Sequence, residues 1–261
     1  IIIMIGKYKV LRRIEMGFID QLKIKAKSNK KTIVLPEGMD RRTYEAAQQI
    51  VEEDFADIII LASPEEAEKY GKGYDIENVT IIDPKDCVKT KEYAEEFYML
   101  RKAKGMTETQ AYAMLVSDYM YFACMMVRAG DADGVVSGAC HSSANTLRPS
   151  LQIIKTKPGS KLVSAFFVMC VQNKELGADG VFVMGDCGLN QNPNPEQLAD
   201  IAASSAESFE YLVGEKARVA MLSHSTHGSA AHPDVDKVVE ATKIAQKEYP
   251  QFLIDGELQT D

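Results

Sequence analysis

The chain has 261 residues, 46% of them hydrophobic and 26% charged, with a formal net charge of −8. That length allows two domains or one large one, the composition is that of a globular enzyme, and no apolar run approaches the roughly 20 residues that span a bilayer. The acidic balance argues against a general nucleic-acid binder, which needs a basic surface, but an anionic small molecule remains in play if cations are gathered locally.

Cys87, Cys124, Cys140, Cys170 and Cys187 are odd in number and form no C-x-x-C pair. This usage predicts a reducing compartment and a cytoplasmic protein. The opening "IIIMIGKYKVLRR" puts apolar residues before cations, the reverse of a secretory signal. Met16 reads as the more natural first residue, so residues 1–15 read as a non-native or gene-call extension.

From there β-rich runs alternate with helical patterns: "KTIVLP" before "DRRTYEAAQQIVEED", "ADIIILA" before "SPEEAEKY", and "NVTIID" before a long helical stretch from Thr90. The rhythm predicts an α/β fold with parallel sheets flanked by helices. Residues 90–129 read as two helices, divided where Gly105 closes the first and "TETQ" at Thr107–Gln110 supplies a capping box for the second. "DADGVVSG" reads as a short buried strand. Beyond it come strands "KLVSAFFVMCV" and "DGVFVMGD", a helix from Pro195 to about Val213, the strand "ARVAMLS", a helix from Pro233 to Glu248, and "FLID". Ligands of open parallel sheets sit at the carboxyl ends of strands, which singles out the loops "PEGMDRR", "SGACHSSANTLR", "GDCGLNQNPNP" and "SHSTHGSAAHP".

No G-x-G-x-x-G opens a helix, and no G-x-x-x-x-G-K-[ST] occurs. Asp40 is a natural N-cap, which leaves Arg41 and Arg42 in a first turn where the helix dipole disfavours cations. Either an anion bound there relieves the conflict, or the arginines face solvent or pair with Glu37 and Glu45. Arg101, Lys102 and Lys104 gather at a helix C-terminus, a placement the dipole favours by itself. Ser142, Ser143 and Thr146 read either as caps and turn formers or, with Arg148 just ahead of Pro149, as an oxyanion cradle: a guanidinium fork matches a phosphate and hydroxyls supply further donors. Cys140 and His141 are adjacent in a segment read as extended, so they face opposite ways and are not taken as a nucleophilic pair. His224, His227 and His232 share a loop without an acidic or thiol ligand at fixed spacing, and no metal is assigned to them.

Together, "LPEGMDRRTYEAA", "FYMLRKAKGMT", "SDYMYFACMMVRAGDADGVVSGACHSSANTLRPSLQIIKT", "VAMLSHSTHGSA" and "IDGELQTD" resemble the phosphate acetyltransferases of the phosphate acetyl/butyryl transferase family, collinearly from about residue 16 to the last residue. The resemblance implies two three-layer α/β domains of the isocitrate/isopropylmalate dehydrogenase type, here residues 16–156 and an incomplete 157–261, in a homodimer. It implies reversible acetyl transfer between acetyl phosphate and coenzyme A, with coenzyme A and phosphate as substrates, no tightly bound cofactor, no metal, and activation by monovalent cations. A phosphate butyryltransferase and a non-catalytic acetyl-CoA-binding module are the alternatives.

By the same resemblance Arg42, Arg101 and Arg148 are anion-binding arginines, with Arg148 the catalytic one. Ser142, Ser143 and Thr146 form the hydroxyl loop. Ser223, Ser225, Thr226 and Gly228 belong to a substrate-binding "S-Y-S-T-x-G-S" loop, from which this sequence departs with His224 for tyrosine and His227 where lysine is common. The family continues past "DGELQxD" into "N-D-L-S-R-G" and an aspartate proposed as general base. The base is therefore expected beyond Asp261, and this chain by itself is expected to bind anions but turn over poorly.

Overall fold

The computed structural model describes residues 17–260, with the backbone of two short antiparallel strands, β1 (Met4–Ile5) and β2 (Tyr8–Lys9). The reading of residues 1–15 as an extension, of Met16 as the first residue and of Asp261 otherwise concerns positions outside the described residues. The chain divides into two compact units, Asp20–Lys155 and Thr156–Asp261 with Ile1–Ile19. Each is taken by itself.

The first unit begins inside α1 (Phe18–Ser28) and continues β3 (Thr32–Leu35), α2 (Arg41–Glu53), β4 (Asp57–Leu61), α3 (Pro64–Gly71) and β5 (Thr80–Ile82). Then follow α4 (Thr90–Arg101), a 3₁₀ turn at Lys102–Lys104, α5 (Glu108–Ser117), α6 (Tyr119–Ala129), β6 (Gly134–Val135) and α7 (Ser143–Ile153). The four strands form one parallel sheet in the order β5-β4-β3-β6.

Strand alternation divides the core. Ile58, Ile60 and Leu35 meet Tyr44 and Ala47 of α2 on one face, whereas Val34, Ile59 and Leu61 meet Phe97, Leu115, Phe122 and Ile153 of the helices on the other. The unit is thus a helix–sheet–helix sandwich. The chain winds outward from β3 to β5 and then returns to β6 on β3's other side, so the carboxyl ends of β3 and β6 flank the topological switch point. Gly38 lets the chain leaving β3 press on β4, since a Cβ there would meet the Leu61 carbonyl oxygen at 2.3 Å and Ala62 Cβ at 2.5 Å.

The second unit comprises β7 (Phe166–Cys170), β8 (Val181–Gly185), α8 (Pro195–Val213), β9 (Arg218–Leu222), α9 (Pro233–Glu248) and β10 (Leu253–Leu258). Its small core joins Ala199 and Ala202 of α8 to Ala241 and Ala245 of α9 over Met221 and Ile254.

Most expected elements are present, including α8 and α9 at their expected bounds. Three readings change. Residues 90–129 hold three helices, because Asp118 ends α5 and N-caps α6 through a 3.0 Å bond from the Met120 amide. The "HSSANTLR" segment is largely helical, since Ser142 accepts from the Asn145 amide and starts α7. In the second unit only β9 and β10 are parallel, while β7 and β8 pair antiparallel. No described helix is long and apolar enough to cross a membrane.

Candidate active site

At the switch point stands Glu37, just beyond β3 and only 3% exposed. Its carboxylate accepts four consecutive backbone amides from the segment after β6: Gly138 at 2.9 Å, Ala139 at 2.8 Å, Cys140 at 2.8 Å and His141 at 2.7 Å. His141 Nδ1 adds a fifth contact at 2.8 Å and must donate, because a carboxylate only accepts. Burial alone would raise the Glu37 pKa, but the amides of Cys140, His141, Ala139 and Gly138 outweigh it and hold the group well below the ordinary carboxylate range.

This wrapping corrects the extended reading of residues 140 and 141. The Cys140 sulfur, a His141 ring nitrogen and a Glu37 oxygen lie within 4.8 Å of one another, the one grouping of three potential metal ligands among the described residues. With five donors already on the carboxylate, it is a clamp rather than a cation site. Nor is Cys140 an activated nucleophile, for burial and then the Glu37 charge push its thiol up.

Arg42 is engaged within the protein. Its Nε and a terminal nitrogen reach the two Asp40 oxygens at 3.0 and 2.6 Å, and the same nitrogen donates to the Ala139 carbonyl. The side chain is nonetheless 66% exposed. Asp40, held low mainly by this pairing, also caps α2 by accepting the Arg42 amide at 2.9 Å. The first-turn conflict is therefore relieved by the cap itself, not by Glu37 or Glu45.

Arg101 and Arg148 are different. Both line one cleft of about 680 Å³ in the first unit, with Lys104, Asp118, Tyr121 and Met114 among its walls. Neither guanidinium has a hydrogen bond or ion pair among the described residues, and Arg101 Nε is buried without a partner. Three cations thus face one carboxylate, Asp118, on a chain whose net charge is −8. The 3₁₀ turn swings Lys104 past the end of α4, and the left-handed Gly105 (φ 87°) then lets α5 begin.

Of the hydroxyl loop, Ser142 caps α7, Thr146 donates to the Ser142 carbonyl at 3.3 Å, and Ser143 is exposed. None of the three lines the Arg101–Arg148 cleft. The expected cradle therefore takes the form of a helix start, with Arg148 about one and a half turns further along α7.

In the second unit, Glu257 repeats the clamp on a smaller scale. It is 3% exposed and accepts from the Gly228 amide at 2.6 Å and the Ser225 hydroxyl at 3.0 Å. The Gly228 amide is the main reason its pKa is lowered. Ser225 is fully buried, and its oxygen also receives the Ala230 amide at 3.1 Å, so this hydroxyl faces inward and holds the loop rather than a ligand. Thr226 is tied to Gln259, accepting its amide at 2.9 Å, and Ser223 accepts the Ser225 amide at 3.2 Å. His232 N-caps α9 through the Asp234 amide at 3.2 Å and meets the His224 ring edge-on at 5.6 Å. His227 and Gly228 are both left-handed, at φ 44° and 84°.

Sequence reasoning missed Glu37 as a central group, along with Asp118 and Tyr121 as cleft walls. The only local signal for Glu37 was an acidic residue two positions beyond an apolar strand.

Residues 17–261 match the family model described as "Phosphate acetyl/butaryl transferase". The chain is 50% identical over 246 residues to the phosphate acetyltransferase of Thermoanaerobacterium thermosaccharolyticum, covering 94% of this chain and 75% of that protein. It is 48% identical to the phosphate acetyltransferase of Acetivibrio thermocellus, over 94% of this chain and 74% of that one. Among solved structures, a phosphotransacetylase from Streptococcus pyogenes superposes with a TM-score of 0.84 at 38% identity, covering 94% of this chain and 74% of that one. With its motifs and these relatives in agreement, the chain belongs to the phosphate acetyl/butaryl transferase family.

Proposed function

We propose that the protein is an acyltransferase that moves an acetyl group reversibly between acetyl phosphate and coenzyme A, and that the Arg101–Arg148 cleft holds anionic groups of these substrates. The observation that carries this assignment is the pair of guanidiniums without partners converging on one cleft beside Lys104. The buried Arg101 Nε without a partner is costly, and a phosphate matched by the guanidinium forks offsets that cost while also meeting the exposed Arg148. The relatives named phosphate acetyltransferase favour acetyl over longer acyl groups.

The chemistry asks for a held phosphate, an oriented thioester or acyl phosphate, and a deprotonated thiol. Arg148, placed by α7, and Arg101, placed by the end of α4, serve the first need. Fixing both reactants in line supplies much of the acceleration, and a thiol with a pKa near 8.5 needs modest assistance to ionise. Arg42 serves chiefly to brace the Ala139 carbonyl. Ser223, Thr226 and Gly228 remain proposed as substrate-binding from the family resemblance, with Ser225 shaping their loop and Ser142, Ser143 and Thr146 shaping the start of α7.

A homodimer and a cytoplasmic location belong to the same proposal. The first is supported by the apolar β7–β8 ribbon, where Phe167 is 59% exposed beside exposed Met169 and Met184, and the second by five free cysteines.

Thiol release from acetyl-CoA on addition of phosphate tests the assignment. Arg148→Ala is expected to weaken phosphate, in binding or in turnover, about tenfold to hundredfold, the value of a charge-assisted fork worth about 1.5–3 kcal/mol. Unchanged kinetics would remove this cleft from the reaction.

A further inference from the structure

We infer that Glu37 is a positioning residue for the transfer reaction: its carboxylate is an internal anion that fills the nest formed by the amides of residues 138–141 and thereby fixes the start of α7 and the place of Arg148. The inference rests on reading the Arg101–Arg148 cleft as the anion site.

Successive backbone N–H groups that converge on one point make a concavity that ordinarily receives a phosphate or another oxyanion, and the switch point between β3 and β6 is where sheets of this kind ordinarily admit a ligand. Here the four amides at 2.7–2.9 Å are all directed at a side chain of the protein itself. The left-handed region at Gly138 (φ 135°) lets the segment curl around it. The ligand crevice is thus closed by a tether between the ends of two neighbouring strands.

The tether has leverage on the cleft. Only Ser142 separates the last clamped amide, at His141, from the first residue of α7, and Arg148 follows within the same helix. Because a helix turns about 100° and rises about 1.5 Å per residue, a slip of one residue at its start would swing the guanidinium out of the cleft. Arg42 steadies the same segment from outside through the Ala139 carbonyl. Glu37 also holds His141 with its Nδ1 proton directed inward, leaving Nε2 as the other face of the ring. A carboxylate that touches none of the cleft residues therefore governs the geometry of one that lines it.

The test pairs Glu37→Ala with formate, a carboxylate small enough to enter the vacated nest, and reads two quantities. The first is hydrogen exchange at the amides of residues 138–141. The second is the dissociation constant for inorganic phosphate, followed by calorimetry so that it does not depend on turnover. In the substituted protein the four amides are expected to exchange quickly and phosphate to bind about tenfold or more weakly, and added formate is expected to restore both. Phosphate binding unaffected by Glu37→Ala overturns the positioning role, as does a loss that formate leaves in place while the amides become protected again. Should Glu37→Ala fail to fold, the unsubstituted protein still decides the nest: its amides at 138–141 must exchange more slowly than those of Ser143 and Ala144 in the first helical turn, and equal rates reject the clamp. An unsubstituted protein that binds no phosphate, yet protects these amides, would remove the cleft assignment and the positioning role with it while leaving the filled nest standing.

Discussion

Glu37 and Glu257 are the same residue type at the same exposure, 3%, and each ties down a loop after a strand, yet they sit in different surroundings. Glu37 joins two strands of a four-stranded parallel sheet with helices on both faces and collects four amides. Glu257 lies within β10, one of two paired strands, and collects one amide and one hydroxyl. The difference teaches that a buried carboxylate is stabilised by its count of donors, and that its leverage depends on what those donors are attached to. The first clamp fixes a helix start, whereas the second fixes a compact turn.

Replacing each acid by its amide should separate the two most sharply. Glu37→Gln keeps the shape but sets an amide NH₂ against backbone donors, and is expected to cost about 3–5 kcal/mol in urea unfolding, the range for breaking a buried charged partnership. It should also remove a pH dependence. The folded pKa of Glu37 lies below its ordinary 4.5, so its contribution is fully present above that value and is lost as pH falls further. Acid destabilisation beginning near pH 4.5 should accordingly be shallower in the variant, and identical acid profiles would refute the clamp's electrostatic character.

Glu257→Gln should lower the unfolding temperature by less than Glu37→Gln, because fewer donors are left facing the amide. If it lowers the temperature by more, donor count is the wrong measure. The smallest effect is expected for Ser225→Ala, about 1.5 kcal/mol, the low end for a hydrogen bond to a charged group. A loss as large as that of Glu257→Gln would mean that the hydroxyl, not the Gly228 amide, holds the loop.

The same pairings show which parts of the molecule the sequence could reveal. α8 and α9 were legible to the residue because Asn194 and His232 stand just before prolines at the first helical position and Gly214 and Tyr249 close the other ends. The boundary at Asp118 was hidden inside a continuous apolar stripe, where one polar residue does not break the helical period. α7 was obscured because small hydroxyl residues followed by Pro149 read equally well as a loop. Arg101 and Arg148 were legible as cations but not as neighbours. Glu37 was the least visible, since its partners lie 101 to 104 residues away and are backbone amides that carry no side-chain signature. Likewise β7 and β8 gave strand signals without any sign of relative direction.

Asp118 closes α5 with its own amide on the Met114 carbonyl at 2.9 Å and opens α6 with its carboxylate on the Met120 amide at 3.0 Å. Two helices therefore meet through a single residue, with no linker to absorb slack. One added residue would turn α6 by about 100°, taking Tyr121 off the cleft wall and Phe122 and Met125 out of the core together. This wall of the cleft is thus free to vary in composition, with Ser, Thr or Asn able to serve as the cap, but it is locked in length. Descendants of this sequence can retune the cleft here by exchange of side chains and not by insertion or loss.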